Sequence, residues 1–191
     1  MTRSVAKTVH TLKITLRGVQ PPVWRRIAVP SDVKLSALAP LLEAAMGWYG
    51  DHLHSFETSG KRYGEPDPDW GADIIDERGR KLATVLPKVG AKLRFDYDFG
   101  DGWEHDVVVE AIESAQRGVT SPLCVAGKRA CPPEDCGGPW GYGELLEVLA
   151  DPQHPDHDER AEWIGDDFDP EHFDAGETTD AMQSRRPLRG W

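Results

Sequence analysis

The chain has 191 residues, 39% of them apolar, with seven tryptophans and a formal net charge of −11. That is enough apolar material to bury a core without metal or disulfide support, and the acidic balance excludes a generic affinity for nucleic acid or anionic membrane, both of which need a basic surface. Three cysteines do not suit a secreted disulfide framework, no apolar run is long enough to span a bilayer, and the first residues lack the apolar block of a signal peptide, so a soluble, reduced cytoplasmic protein is expected.

The first 34 residues carry seven Lys/Arg and one acid, whereas residues 151–180 carry twelve Asp/Glu and one Arg. Such runs usually solvate a fold or pair within it, and the sharper alternative is an acidic surface that docks a basic partner. In VHTLKITLRG, His10, Leu12, Ile14 and Leu16 alternate with polar residues and predict a half-buried strand. VQPP reads as a turn, and VWRRIAVP as a second strand that closes a hairpin. SDVKLSALAPLLEAAMGW follows as a helix with Ser31 or Ser36 as its cap and Gly47 as its stop. HLHSFETS predicts a third strand, and residues 60–80, rich in Gly, Pro and charge, a long loop.

AKLRFDYDFGDGWEHDVVVEAI predicts a second hairpin. A three-residue loop at Gly100, Asp101 and Gly102, with Gly102 at positive φ, sets Phe99 against Trp103, Tyr97 against His105 and Phe95 against Val107. It also sets Asp98 against Glu104 and Asp96 against Asp106. Like charges opposite one another are destabilising, so Arg25 and Arg26, solvent or a divalent cation must compensate.

Four sets of candidate residues emerge. His52 and His54 share a face if both lie on the third strand, and His105 could meet them beside Asp98 and Asp101 to hold a divalent metal, zinc for preference. His154, His157 and His172 read as surface residues. In RACPPEDCGGPWGYGELLEVLADP, Cys131 and Cys136 stand five apart, with Cys124 upstream. They could be metal ligands or reactive thiols, since Cys136 lies near a helix start. They could equally belong to a rigid loop stiffened by Pro132 and Pro133, with Gly137 and Gly138 free to adopt positive φ and Pro139 leading into a helix from about Trp140 or Tyr142 to Ala150. No stable disulfide is expected. For partner binding the candidates are Arg25, Arg26, Trp103, Glu134, Asp135 and Trp140.

PPVWRRIAVP, DHLHSF, YDFGDGWEHDVVVE and the long segment from CVAGKRACPPEDCGG to DPEHFD, in that order, resemble the Ri-plasmid open-reading-frame-three-like family (pRiA-four-b ORF-three-like), which includes the insertion-element passenger TnpR protein. The resemblance spans residues 9–174. It implies a compact α+β domain and an association with mobile genetic elements, and it supplies no reaction; the chain has no resolvase-like serine motif.

The expected architecture is therefore a single α+β domain over residues 1–174, with a mixed or antiparallel sheet built from two hairpins, a helix after the first, a helical C-terminal part, and a flexible tail over 175–191. The expected function is accessory binding of a protein or small-molecule ligand through the acidic hairpin face, the Cys loop and the acidic tail. A metal-dependent hydrolase and a DNA-associated protein are the alternatives, the last supported only by the basic N-terminal strands.

Overall fold

The alternation around Leu12, Ile14 and Leu16 produces β1 (Thr8–Leu16) in the computed structural model, which describes residues 8–66, 73–115, 122–165 and 168–184. β2 (Trp24–Pro30) returns antiparallel to it, with Leu12 opposite Ile27 and Ile14 opposite Arg25. α1 (Leu35–Met46) ends at Gly47, whose φ of 93° is the left-handed turn that glycine accommodates. The expected serine cap does not form: Lys34 holds the N-cap position without a side-chain bond, and Ser31 is buried against Thr8 and His10.

β3 (His54–Thr58) lies where the third strand is expected. The expected long loop over 60–80 instead contains β4 (Lys61–Gly64), β5 (Ile74–Asp76) and a 3₁₀ turn at Glu77–Gly79. Strands this short show too little alternation to outweigh their Gly and charge content. After the single turn of α2 (Leu82–Val85) come β6 (Lys92–Tyr97) and β7 (Trp103–Ser114). β8 (Leu123–Lys128), unforeseen in the sequence, pairs with β2. α3 (Gly138–Ala150) starts two residues before the earlier of its expected origins, with Pro139 in its first turn. α4 (His157–Ile164) and α5 (Ala175–Ser184) complete the helical C-terminal part. The expected tail from residue 175 is thereby corrected: α5 packs against α1 and β8 and buries Met182, and of that tail residues 185–191 lie outside the described residues.

The sheet runs β5-β4-β3-β6-β7-β1-β2-β8, antiparallel throughout except between β4 and β5. Its core face carries Leu12, Ile14, Ile27, Val29, Phe56, Phe95, Tyr97, Trp103 and Val107, all buried together with the apolar side of α1. The β6–β7 register differs from expectation by two residues: Tyr97 faces Trp103 and Phe95 faces His105, leaving a five-residue loop over 98–102. A shift of two preserves the faces, so Phe95, Tyr97, Trp103 and Val107 are buried as expected. Phe99 is not, because it has left the strand and is 41% exposed. Asp98 ends the strand early. It adopts φ 52°, and its carboxylate accepts from the Gly100 and Asp101 amides at 3.0 and 3.4 Å, a local bond that competes with strand pairing.

On the opposite face, Asp96 lies across from Glu104 and Arg94 across from Asp106. The compensating cations are Arg94, bonded to Glu57 at 2.7 Å and Asp96 at 3.0 Å, and Arg17, bonded to Glu104 at 2.7 Å. The expected pair does not serve here. Arg26 bonds Glu110. Arg25 lies on the core face of β2, donates to the carbonyls of Ala45, Trp24 and Lys128, and stacks over Phe173 at 4.8 Å.

Candidate functional site

The ends of β1, β6 and β8 and the starts of β2, β3 and β7 all lie at one end of the sheet. Three segments therefore converge there: the loop over 47–53 that enters β3, the hairpin tip over 98–102, and the Cys loop over 129–137 that leads into α3.

The Cys loop forms a roof over the aromatic end of the core. Trp48 is buried, stacks on Tyr97 at 4.9 Å, stands 5.7 Å from Trp103 and 5.2 Å from His105, and donates its indole N–H to the Pro132 carbonyl at 3.0 Å. Glu134 accepts from the Tyr97 hydroxyl at 2.6 Å and from the Tyr49 amide at 3.2 Å. Asp101 from the hairpin tip accepts from the Gly137 amide at 3.2 Å, supplying in trans the carboxylate cap that α3 lacks in its own sequence. Gly138 packs directly on the Asp101 carbonyl. The bracketed stretch of prolines and glycines is thus a rigid lead-in to the helix, held by the hairpin and by Trp48.

The three thiols are free. Burial is the main cause of a raised pKa in each. Cys136, with Asp101 and Asp135 adding to the effect, is pushed up to about 12; Cys131 is raised further, and Cys124 is raised as well despite the neighbouring Arg25. These shifts oppose thiolate formation at Cys136, because burial, reinforced by the carboxylates around the helix start, outweighs the favourable dipole.

The three candidate histidines do not converge. His105 is wholly buried and donates Nδ1–H to the Phe95 carbonyl at 3.0 Å, and burial pulls its pKa down to about 4. His54 lies between two buried carboxylates, Glu77 at 3.1 Å and Glu43 at 3.5 Å. Burial alone would lower its pKa, but the bond to Glu77 and the two charges outweigh that and raise it. His52 precedes the strand and turns towards the tip and the roof, with Nδ1 3.7 Å from Asp98 and Nε2 3.6 Å from Asp135. Sequence alternation places His52 and His54 on one face only if both are in the strand; β3 begins at His54.

His52, Asp98 and Asp135 are, among the described residues, the one group of three or more His, Cys, Asp or Glu side chains with ligand atoms all within 4.8 Å of one another. Asp101 belongs to the α3 cap instead. Four large apolar residues on or next to the same converging segments are exposed: Tyr49 is 73% exposed, Leu53 56%, Phe99 41% and Trp140 87%. Of these only Trp140 is conspicuous in the sequence, where Gly and Pro isolate it from the core pattern. Tyr49, Leu53 and Phe99 read as continuations of buried segments. Trp103, a binding candidate by sequence, is buried in the core.

His105 carries a pH signature. Its folded pKa of about 4 lies below the ordinary 6.5, so the unfolded chain takes up the proton first. The stability contributed by the neutral ring is complete above about pH 6.5 and is lost as pH falls towards 4. Between about pH 7.5 and about pH 5, wild type should lose roughly 2 kcal/mol more unfolding free energy than His105→Gln. Urea titrations at the two pH values measure this; equal losses in the two proteins would contradict the buried neutral assignment.

Three comparisons place the chain among known proteins. The family described as "Plasmid pRiA4b ORF-3-like protein" matches residues 8–177. The uncharacterized protein y4hQ of Sinorhizobium fredii is 45% identical over 164 residues, covering 85% of this chain and 84% of that protein. The crystal structure of MM3350 from Methanosarcina mazei Go1, a protein of unknown function, superposes with a TM-score of 0.83 at 39% identity, covering 90% of this chain and 97% of the other. The match over nearly the whole length, and the eight-stranded α+β fold that goes with it, make this chain a member of the plasmid pRiA4b ORF-3-like family.

Proposed function

We propose that the protein is an accessory binding module whose working surface is the three-loop end of the sheet, and that its partner is a protein segment carrying apolar and basic side chains. The observation that carries this reading is the exposure of Tyr49, Leu53, Phe99 and Trp140 on or next to the segments that bring His52, Asp98 and Asp135 together. Exposed aromatic anchors beside polar groups are the composition of protein interfaces, and the nearby Asp51 and Glu134 favour a basic partner. Service to a mobile element fits the plasmid origin in the family's name. The DNA-associated alternative loses its local support, since Arg25 is buried and Arg26 is paired with Glu110. The hydrolase alternative keeps only His52 and Asp98 of its proposed ligands in one place.

Affinity capture from the source cell's lysate tests the reading when three immobilised proteins are compared: wild type, the double variant Leu53→Ser/Trp140→Ser, and Val89→Ser. Val89 is also exposed but lies at the opposite end of the sheet. A partner retained by wild type and Val89→Ser and lost by the double variant is expected. A partner retained equally by all three would place the interface elsewhere.

A further inference from the structure

We propose that His52, Asp98 and Asp135 form a binding site for a first-row divalent transition ion, which ties the three loops of the working surface together. The proposal rests on the reading of this end as the working surface and identifies what sits at its centre. Each ligand comes from a different segment: His52 from the loop into β3, Asp98 from the hairpin tip, Asp135 from the roof. One ring nitrogen of His52 can bind an ion, and with one ligand atom taken from each residue the three lie within 4.8 Å of one another; the contacts of 3.7 Å to Asp98 and 3.6 Å to Asp135 are made by opposite ring nitrogens and both exceed a hydrogen bond. An ion with bonds of roughly 2.0–2.2 Å to nitrogen and oxygen holds its ligand atoms roughly 3–4 Å apart, so only a small movement is needed. Asp135 can supply it, because its side chain is 76% exposed.

The donor set selects the ion. One imidazole with two carboxylates suits zinc, cobalt or manganese, whereas calcium and magnesium favour oxygen alone and thiolate sites are excluded by composition. With the imidazole neutral, the two carboxylates balance a dication. The Gly100 and Asp101 amides fix the Asp98 carboxylate through its Oδ1, the outer support that a metal ligand requires, so an ion would take its other oxygen. His52 remains 31% exposed, so water or a partner side chain can reach the remaining coordination positions. His54 is the poorer ligand, since Glu77 holds its Nε2 at 3.1 Å.

The test is calorimetric titration of zinc into untagged, chelator-treated protein, with a cobalt spectrum alongside. Wild type should bind one zinc per chain. His52→Gln and Asp135→Asn should each weaken binding by about tenfold or more, and Cys136→Ser should bind as wild type does. Asparagine tolerates the positive φ of 58° at Asp135, so that variant should keep the wild-type melt and remain informative if His52→Gln does not fold. The cobalt spectrum should lack thiolate charge transfer. Absence of stoichiometric zinc binding by wild type, equal binding by Asp135→Asn, or a thiolate band abolished by Cys136→Ser would each overturn the proposal. Leu53→Ser/Trp140→Ser separates it from the surface reading. That variant should lose the partner and keep zinc; if wild type binds no zinc yet the variant still loses the partner, only the metal proposal fails.

Discussion

Replacing Gly138 with valine should lower the unfolding free energy by roughly 3 kcal/mol or more, the combined scale of a strained left-handed residue and an overpacked contact. Gly138 has φ 71°, and a Cβ built there stands 2.2 Å from the Asp101 carbonyl oxygen. The obstacle is backbone, so no side chain can rotate away. To make room, the hairpin tip must separate from the start of α3, which breaks the Asp101 cap on Gly137 and opens the roof over Trp48. Gly143, in the same helix, supplies the control: nothing lies within 4 Å of its Cβ position and its φ is ordinary. Gly143→Ala should be neutral or stabilising by up to about 1 kcal/mol. Urea unfolding of both variants checks the pair; equal midpoints would show that the roof is not packed as described.

Trp48→Ala should cost about 3–5 kcal/mol, the range for deleting a buried aromatic. The indole is 1% exposed, stacks on Tyr97, contacts Trp103 and His105, and holds the Pro132 carbonyl. Its removal leaves a cavity beneath the roof and an unpaired carbonyl in the Cys loop. The loss should also raise proteolysis within residues 129–137, since that loop is then held by the bonds of Arg129 and Ala130 at its start and of Glu134 and Gly137 further on. Limited proteolysis with urea titration measures both effects; a variant that loses stability while the loop stays protected would separate the core from the roof.

The β6–β7 hairpin shows how far alternation carries. Faces follow from period two, so Phe95, Tyr97, Trp103 and Val107 are readable as buried, and Gly102 as the left-handed residue, which it is at φ 69°. The register itself depends on a side chain. Asp98 bonds the turn's own amides and ends the strand, and that choice is not visible in hydrophobic pattern. The same limit hides β8, a strand of LCVAGK with little alternation that forms because β2 offers an edge. Arg25 shows the opposite failure. The pattern that puts Val23, Ile27 and Val29 on the core face puts Arg25 there too, yet its charge suggests a surface role. Three backbone carbonyls and Phe173 make the buried guanidinium tolerable, and none of those partners is close to it in sequence except Trp24.

The candidate site was legible only in parts. His52, Asp98, Asp135 and Trp140 stand out by residue type, but their grouping needs the sheet order to bring three loops to one end. His105 and the cysteines carry the most suggestive chemistry and lie in the core or at its edge, where burial suppresses it. The exposed rim of Tyr49, Leu53 and Phe99 escapes sequence reading because apolar residues beside strands are usually continuations of those strands.

The central claim is that partner binding occurs at the three-loop end and not at the acidic C-terminal segment. Backbone amide exchange, measured on wild type alone and with the captured partner, tests it most directly. Binding should slow exchange within residues 48–53, 97–102 and 132–140 and leave 151–165 unchanged. Protection confined to 151–165, with the three loops exchanging as in the free protein, would contradict it.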